Sequence, residues 1–204
     1  MNFLKEMAYP ADFDWEHFSS LESYDEQEQY CDDKLHYIGN GSSRIAFRVD
    51  DERVLKLAFN EAGVEQNRVE ATVGADGYVN DIFAGVLSAD LQLRWIEMYL
   101  CDTINRGEFE EGVGIPIHSL RNGLYHLEMG YFQPDDWADI KINPTFVAVI
   151  DYVKKYGITE WGDLFAIIHW GRHPDGRIVL LDYGLTDRVY KKFYADGGAL
   201  TTFV

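Results

Sequence analysis

Gly39-Asn40-Gly41-Ser42-Ser43-Arg44 and the run that follows it, Val54-Leu55-Lys56-Leu57-Ala58, decide the fold. The glycine-rich segment separates two short apolar runs, Tyr37-Ile38 and Ile45 to Val49. Asp50-Asp51-Glu52 separates the second from a third, Val54 to Phe59. Short apolar runs broken by turn-forming clusters predict an antiparallel meander of three strands. A glycine loop between strands lets backbone N–H groups approach a phosphate with no side chain in the way, and Gly39, Gly41 and Ser42 are the candidates for that contact. Lys56 sits on an otherwise apolar strand, so its ammonium must be directed at a partner or a ligand.

Outward from this core, Asn60 is placed to cap a helix running to about Val73, with Ala62, Gln66, Val69 and Val73 on one face. Glu70 lies on that helix and can meet Lys56 if the helix packs across the sheet. Before the meander, Asp14 to Leu35 reads as one helix, with Trp15, Phe18, Leu21 and Tyr24 approximating an apolar stripe. After it, strands are expected at Ile82 to Leu87 and Leu93 to Leu100. The stretch Asp102 to Asp139 reads as irregular. Asn143 caps a helix whose first position is Pro144, whose stripe is Phe146, Val149, Ile150 and Val153, and which Gly157 ends. Pro174-Asp175-Gly176 then joins two expected strands, Phe165 to His169 and Arg177 to Leu181.

Asp182 follows the second of those strands, where a buried segment emerges, and Gly184 allows a sharp turn. A carboxylate there can take a hard cation such as Mg²⁺, which needs one or two protein carboxylates and the phosphates of a substrate. The hairpin is expected to gather Asp163, His169 and Asp182 toward one edge. His169 and His173 also have a spacing that suits zinc on a helix, but they flank a turn and lack a third ligand. Trp161 and Trp170 are read as core residues. The tail from Asp187 to Tyr194 is amphipathic and is read as a docked terminal helix.

Taken in order, these residues resemble the protein-kinase-like superfamily. The resemblance covers residues 37–190 and implies an α+β, minimal bilobal fold. It implies an acidic helical extension at 1–36, an N-lobe with an antiparallel sheet at 37–101 and a truncated helical C-lobe at 102–204. It further implies that Gly39, Gly41, Ser42 and Lys56 hold ATP, that Glu70 orients Lys56, that Asp163 is the catalytic base, and that Asp182 and His169 bind Mg²⁺ or Mn²⁺. The phrasing of Gly39 to Arg44, Gly63 to Asn67, His169-Trp170-Gly171 and Val179 to Leu185 is most similar to small kinase-like proteins of tailed bacteriophages.

The departures from the family pattern bear on activity. Arg44 replaces the third glycine of the loop, which implies a stiffer and more polar loop tip. Five residues separate Asp163 from His169, where kinases place four between Asp and Asn, and histidine stands for that asparagine. Imidazole is a poor ligand for Mg²⁺. The sequence after Gly184 holds no activation segment and no platform for a peptide. The expected function is a pseudokinase-type binding or regulatory protein directed at a host factor. The alternative is an ATP/Mg-dependent phosphotransferase with an unusual catalytic loop.

Composition agrees with this class. The net charge is −17 among 204 residues, so general nucleic-acid binding, which needs Lys and Arg against phosphates, is not expected. Residues 1–36 hold ten acids against Lys5 and Lys34, a solvated face or a surface for a basic host protein, or one that mimics nucleic acid. Two cysteines, Cys31 and Cys101, are expected as free thiols. No run reaches the roughly 18 apolar residues of a membrane span, and Met1 to Tyr9 lacks signal-peptide character, so the chain is expected in the cytoplasm, the host's if it is phage-encoded.

Overall fold

The computed structural model describes residues 9–10, 12–75, 82–130, 133–158 and 161–195. The predicted meander is present as β1 (His36–Asn40), β2 (Arg44–Arg48) and β3 (Arg53–Ala58). Helix α3 (Glu61–Ala75) follows, then β4 (Val86–Ala89) and β5 (Trp95–Tyr99). The five strands form one antiparallel sheet in the order β1-β2-β3-β5-β4. With its helices, this is the expected α+β class.

Strand alternation divides the sheet into two buried faces. Val54, Ile96 and Met98 look toward α3 and the main core, which continues through Phe83, Phe109, Leu120 and Phe146 to Tyr183. Leu55, Leu57, Phe47 and Trp95 point the other way and are covered by Phe13, Phe18, Tyr24 and Cys31. Lys56 shares the α3 face, between Ala46 and Ile96 in the register. The alternation of β3 therefore aims Lys56, the charged position inside its aliphatic run, at α3.

The N-terminal segment forms two helices rather than one, α1 (Trp15–Ser20) and α2 (Tyr24–Lys34). Ser23 is the reason for the break. Its hydroxyl accepts from the Glu26 amide at 3.3 Å, and its own amide donates to Glu26 Oε2 at 3.2 Å, a capping box that starts a new helix. The apolar stripe runs on through the break because both helices press on the same sheet face. Asp25, Glu26, Asp32 and Asp33 remain exposed on the far side.

Residues 102–139, expected as irregular, hold β6 (Asp102–Thr103), α4 (Arg106–Val113), α5 (Ile117–Met129) and all but the last residue of α6 (Trp137–Ile140). Gly114 and Gly130 end α4 and α5 in the left-handed conformation, whereas Gly112 and Gly123 serve close packing. A Cβ on Gly112 would stand 2.5 Å from Ile178 Cγ1, and one on Gly123 would stand 2.8 Å from both Ile140 and the Phe146 ring. Helix α7 (Pro144–Tyr156) is as expected, with Asn143 Oδ1 accepting from the Phe146 amide at 3.1 Å and Gly157 ending it at φ 64°.

The expected strand Phe165 to His169 is instead two 3-10 turns, Asp163–Phe165 and Ile167–His169. Trp170 draws this segment tight by donating its indole N–H to the Leu164 carbonyl at 2.9 Å. The hairpin strands are β7 (Trp170–Arg172) and β8 (Ile178–Leu180), joined to β6 in a second small sheet. An isolated bridge between Phe83 and Leu180 ties β8 to the chain before β4. Helix α8 (Asp187–Phe193) packs on α3. Among the described residues no helix is long and apolar enough to cross a membrane.

Candidate functional site

Glu70 is the centre of the site. It lies on α3, fully buried, and its carboxylate is met by Lys56, Arg44 and the Tyr183 amide. Lys56 Nζ donates to its two oxygens at 3.2 and 3.0 Å. Arg44 approaches as a fork, Nη2 to Oε1 and Nη1 to Oε2, both at 2.9 Å. The Tyr183 amide adds a long contact of 3.4 Å to Oε1. A bidentate guanidinium–carboxylate pair is among the strongest geometries for charged hydrogen bonds. A buried carboxylate is tolerable only with this degree of pairing.

Lys56 is held by Glu70 and by a backbone carbonyl. An ammonium has three N–H groups. Beyond the two Glu70 oxygens, Nζ donates to the Leu181 carbonyl at 2.8 Å. The lysine thus joins β3, α3 and the residue before Asp182.

Arg44 departs most from the expectation drawn from sequence. It does not stiffen an exposed loop tip. It is the first residue of β2, only 7% exposed, and its guanidinium turns inward beneath the glycine loop. Besides Glu70 it reaches Asn67 Oδ1 at 3.1 Å and Asp182 Oδ1 at 2.8 Å. Its terminal nitrogens make three hydrogen bonds, and Nη1 also lies 2.9 Å from Glu70 Oε2 as an ion pair. The neighbouring carboxylates outweigh the cost of burial and raise its pKa further above the ordinary arginine value.

Asp182 follows β8 with its side chain 47% exposed. Partial burial pushes its pKa up, but Arg44, then Lys56 and His169, outweigh that and hold it well below the usual carboxylate range. Gly184 does not adopt a positive φ; the turn needs it for another reason. A Cβ there would stand 2.8 Å from the Gln66 carbonyl oxygen and 2.9 Å from its Cα, so the glycine lets the turn lie directly on α3.

Above this ionic cluster lies a cavity of about 290 Å³. It is close to the lower end of the roughly 300–1,000 Å³ range of small-molecule pockets. The glycine loop from Gly39 to Ser43 roofs it, Arg44, Lys56 and Asp182 form its base, and Asp163 stands at its edge. Added Cβ atoms on Gly39 and Gly41 would meet nothing within 4 Å, so these glycines keep space open rather than relieve strain. The structure therefore brings Gly39, Gly41, Ser42, Lys56, Asp163 and Asp182 around one pocket, with Glu70 beneath it.

His169 is placed differently. It ends the second 3-10 turn, and its Nδ1 is buried without a hydrogen-bond partner. Among the described residues no three His, Cys, Asp or Glu side chains gather as metal ligands, so His169 does not complete a metal group with Asp163 and Asp182. A Mg²⁺ or Mn²⁺ ion of the kind the kinase resemblance implies does not fit this donor set as it stands. One Asp182 oxygen is already paired with Arg44, and imidazole nitrogen is a poor partner for such a hard ion.

Tyr194, beyond α8, is a pocket residue that sequence reasoning passes over. Its hydroxyl lies 3.2 Å from Ser42 Oγ at the loop tip and accepts from Gln66 Nε2 at 3.0 Å. Gln66 Oε1 in turn accepts from Ser43 Oγ at 3.2 Å. The end of the C-terminal helix thus clasps the glycine loop to α3.

No protein-family model and no curated protein sequence matches the chain. Among solved structures it is similar to the streptomycin–ATP ternary complex of APH(2")-IIa, at 12% identity and TM-score 0.36 over 78% of this chain and 70% of that one. It is similar to the GDP complex of wild-type aminoglycoside 2'-phosphotransferase-IIIa, at 13% identity and TM-score 0.39 over 84% and 76%. A third likeness is to SAICAR synthase from Saccharomyces cerevisiae in complex with SAICAR, at 13% identity and TM-score 0.37 over 74% of each chain.

Proposed function

We propose that this chain is a pseudokinase-type binding protein. On this reading a kinase-like cleft under the glycine loop binds a nucleotide but does not transfer its phosphoryl group. The observation that carries the reading is the ion pair of Arg44 with Asp182. The guanidinium engages Asp182 Oδ1 at 2.8 Å, so the carboxylate that a phosphoryl transfer would give to a metal ion is already paired. His169 in the place of a metal-binding asparagine, and the extra residue between it and Asp163, support the same conclusion. The exposed acids of α1 and α2 then offer a surface for a basic protein partner. The resemblance to phage-encoded kinase-like proteins makes that partner a host factor and the host cytoplasm its location.

The test is incubation with labelled ATP and Mg²⁺ or Mn²⁺, followed for autophosphorylation and hydrolysis. Turnover is expected to equal that of the Lys56→Met/Asp182→Ala variant, while a fluorescent ADP still binds the wild type. Turnover that disappears in the variant would overturn the proposal in favour of a phosphotransferase. That second reading draws on one observation, that Asp163 lines the same pocket as Lys56 and Asp182.

A further inference from the structure

Two cations and two anions at and beneath the pocket floor are fixed by one another. Arg44 and Lys56 face Glu70 and Asp182, and every one of the four is engaged with at least one opposite charge. The Lys56 and Glu70 pair alone is neutral, which would leave Asp182 as an uncompensated carboxylate at the pocket floor. Such a carboxylate is what attracts a divalent ion in phosphate-handling sites. Here Arg44 supplies the missing positive charge from within the chain, at 2.8 Å from Asp182 Oδ1.

We propose that the Arg44 guanidinium is the resident cation of this pocket, standing at Asp182 in place of a divalent metal ion. Its setting is built rather than incidental. The side chain is 93% buried, its fork is locked on Glu70, and Asn67 Oδ1 holds its remaining terminal edge. Asn67 is itself fixed, donating its amide to the Leu93 carbonyl at 2.9 Å. A metal ion at Asp182 would have to approach within a few ångströms of a guanidinium that cannot leave without exposing Glu70 to unpaired burial. Repulsion from Arg44 and loss of an Asp182 oxygen both oppose it. The consequence deepens the reading of the pocket as a nucleotide site and rests on it: the phosphate-bearing ligand enters without a divalent ion. Arg44 neutralises the Asp182 carboxylate that the metal would otherwise neutralise.

The experiment uses Mn²⁺ alone as the first probe, followed by electron paramagnetic resonance on the full chain. Wild type and Asp182→Asn are expected to bind Mn²⁺ equally, through surface acids only. Arg44→Ala is expected to gain a site at least about tenfold tighter, the lower end of what one neighbouring unit charge does to an ionic equilibrium. The Arg44→Ala/Asp182→Asn double variant should lose it. Arg44→Gln, which keeps a polar side chain at the position, serves in its place if the alanine variant does not fold. A stoichiometric Mn²⁺ site in the wild type that Asp182→Asn removes overturns the proposal. So does an Arg44 variant, shown to be folded, that gains no site. The second probe is fluorescent ADP, with wild-type affinity expected to agree within about threefold between EDTA and Mn²⁺. A tenfold loss in EDTA overturns the proposal. If the fluorescent ADP binds in neither condition, the nucleotide reading fails, and the Mn²⁺ comparison still decides the role of Arg44.

Discussion

Arg44 and Asp182 are 138 residues apart in sequence and meet at 2.8 Å across the base of the pocket. Their contact closes a cluster in which the start of β2, the middle of β3, the inner face of α3 and the turn after β8 are joined by charge. Glu70 is the common partner, so its loss should be felt by every element. Glu70→Gln leaves two buried cations, Arg44 and Lys56, facing one partly exposed carboxylate. Removing one member of a buried pair costs about 3–5 kcal/mol. Urea unfolding should show that loss; a change under about 1 kcal/mol would mean that the cluster contributes far less than its geometry indicates.

The same cluster fixes the sign of a pH effect. The folded-state pKa of Asp182 lies below its ordinary value of 3.8, because Arg44, Lys56 and His169 outweigh its burial. A depressed carboxylate adds stability above the unfolded pKa and loses it as pH falls through the folded one. The stability gap between wild type and Asp182→Asn should therefore be level from neutral pH down to about 5 and shrink only below the ordinary carboxylate range. Thermal melts across pH read this directly. A gap that widens in acid would reverse the assignment.

Gly41 and Gly184 are predicted to differ in what they protect. A Cβ on Gly41 meets nothing within 4 Å, whereas one on Gly184 strikes the backbone of Gln66 at 2.8 Å. Gly41→Ala should leave the melting temperature nearly unchanged while weakening binding of fluorescent ADP under the loop. Gly184→Ala should cost about 1–3 kcal/mol, as overpacking in a fixed backbone contact does. Equal effects on stability would contradict this division.

Much of this arrangement is legible in the sequence where local pattern and chemistry coincide. Lys56 stands out because it interrupts an aliphatic strand, and Glu70 because it shares the buried face of a well-capped helix. The pairing of the two follows once the helix crosses the sheet. Arg44 is hidden because a residue after a glycine loop reads as solvent-exposed, and only the fold shows its side chain turning inward. Residues 106–140 are hidden for a related reason. Gly112 and Gly123 look like helix breakers, but each is the point where a neighbour, Ile178 or Phe146, presses against a helix. The strand expected at Phe165 to His169 fails because a short apolar run fits a buried turn as well as a strand. The indole of Trp170 selects the turn.

Tyr194 has no local signal at all, since its partners Ser42 and Gln66 lie 152 and 128 residues away. Its hydroxyl nonetheless links the tip of the glycine loop to both α3 and α8. Tyr194→Phe keeps the ring and its stack on Tyr190, whose centroid is 6.3 Å away, and deletes only the hydrogen bonds. Partly exposed hydrogen bonds of this kind contribute about 1 kcal/mol or less in net stability, so global unfolding should move little. The local effect should be larger in proportion. With the clasp removed, the loop keeps its strand pairing and its bonds to Asn60, Phe59 and Gln66 but loses its tie to the helix after Thr186. The amides of Gly41, Ser42 and Ser43 should then exchange with solvent several times faster. Hydrogen exchange resolved at those amides is the measurement. Unchanged protection in Tyr194→Phe would mean that strand pairing holds the loop and that the C-terminal helix merely rests against it.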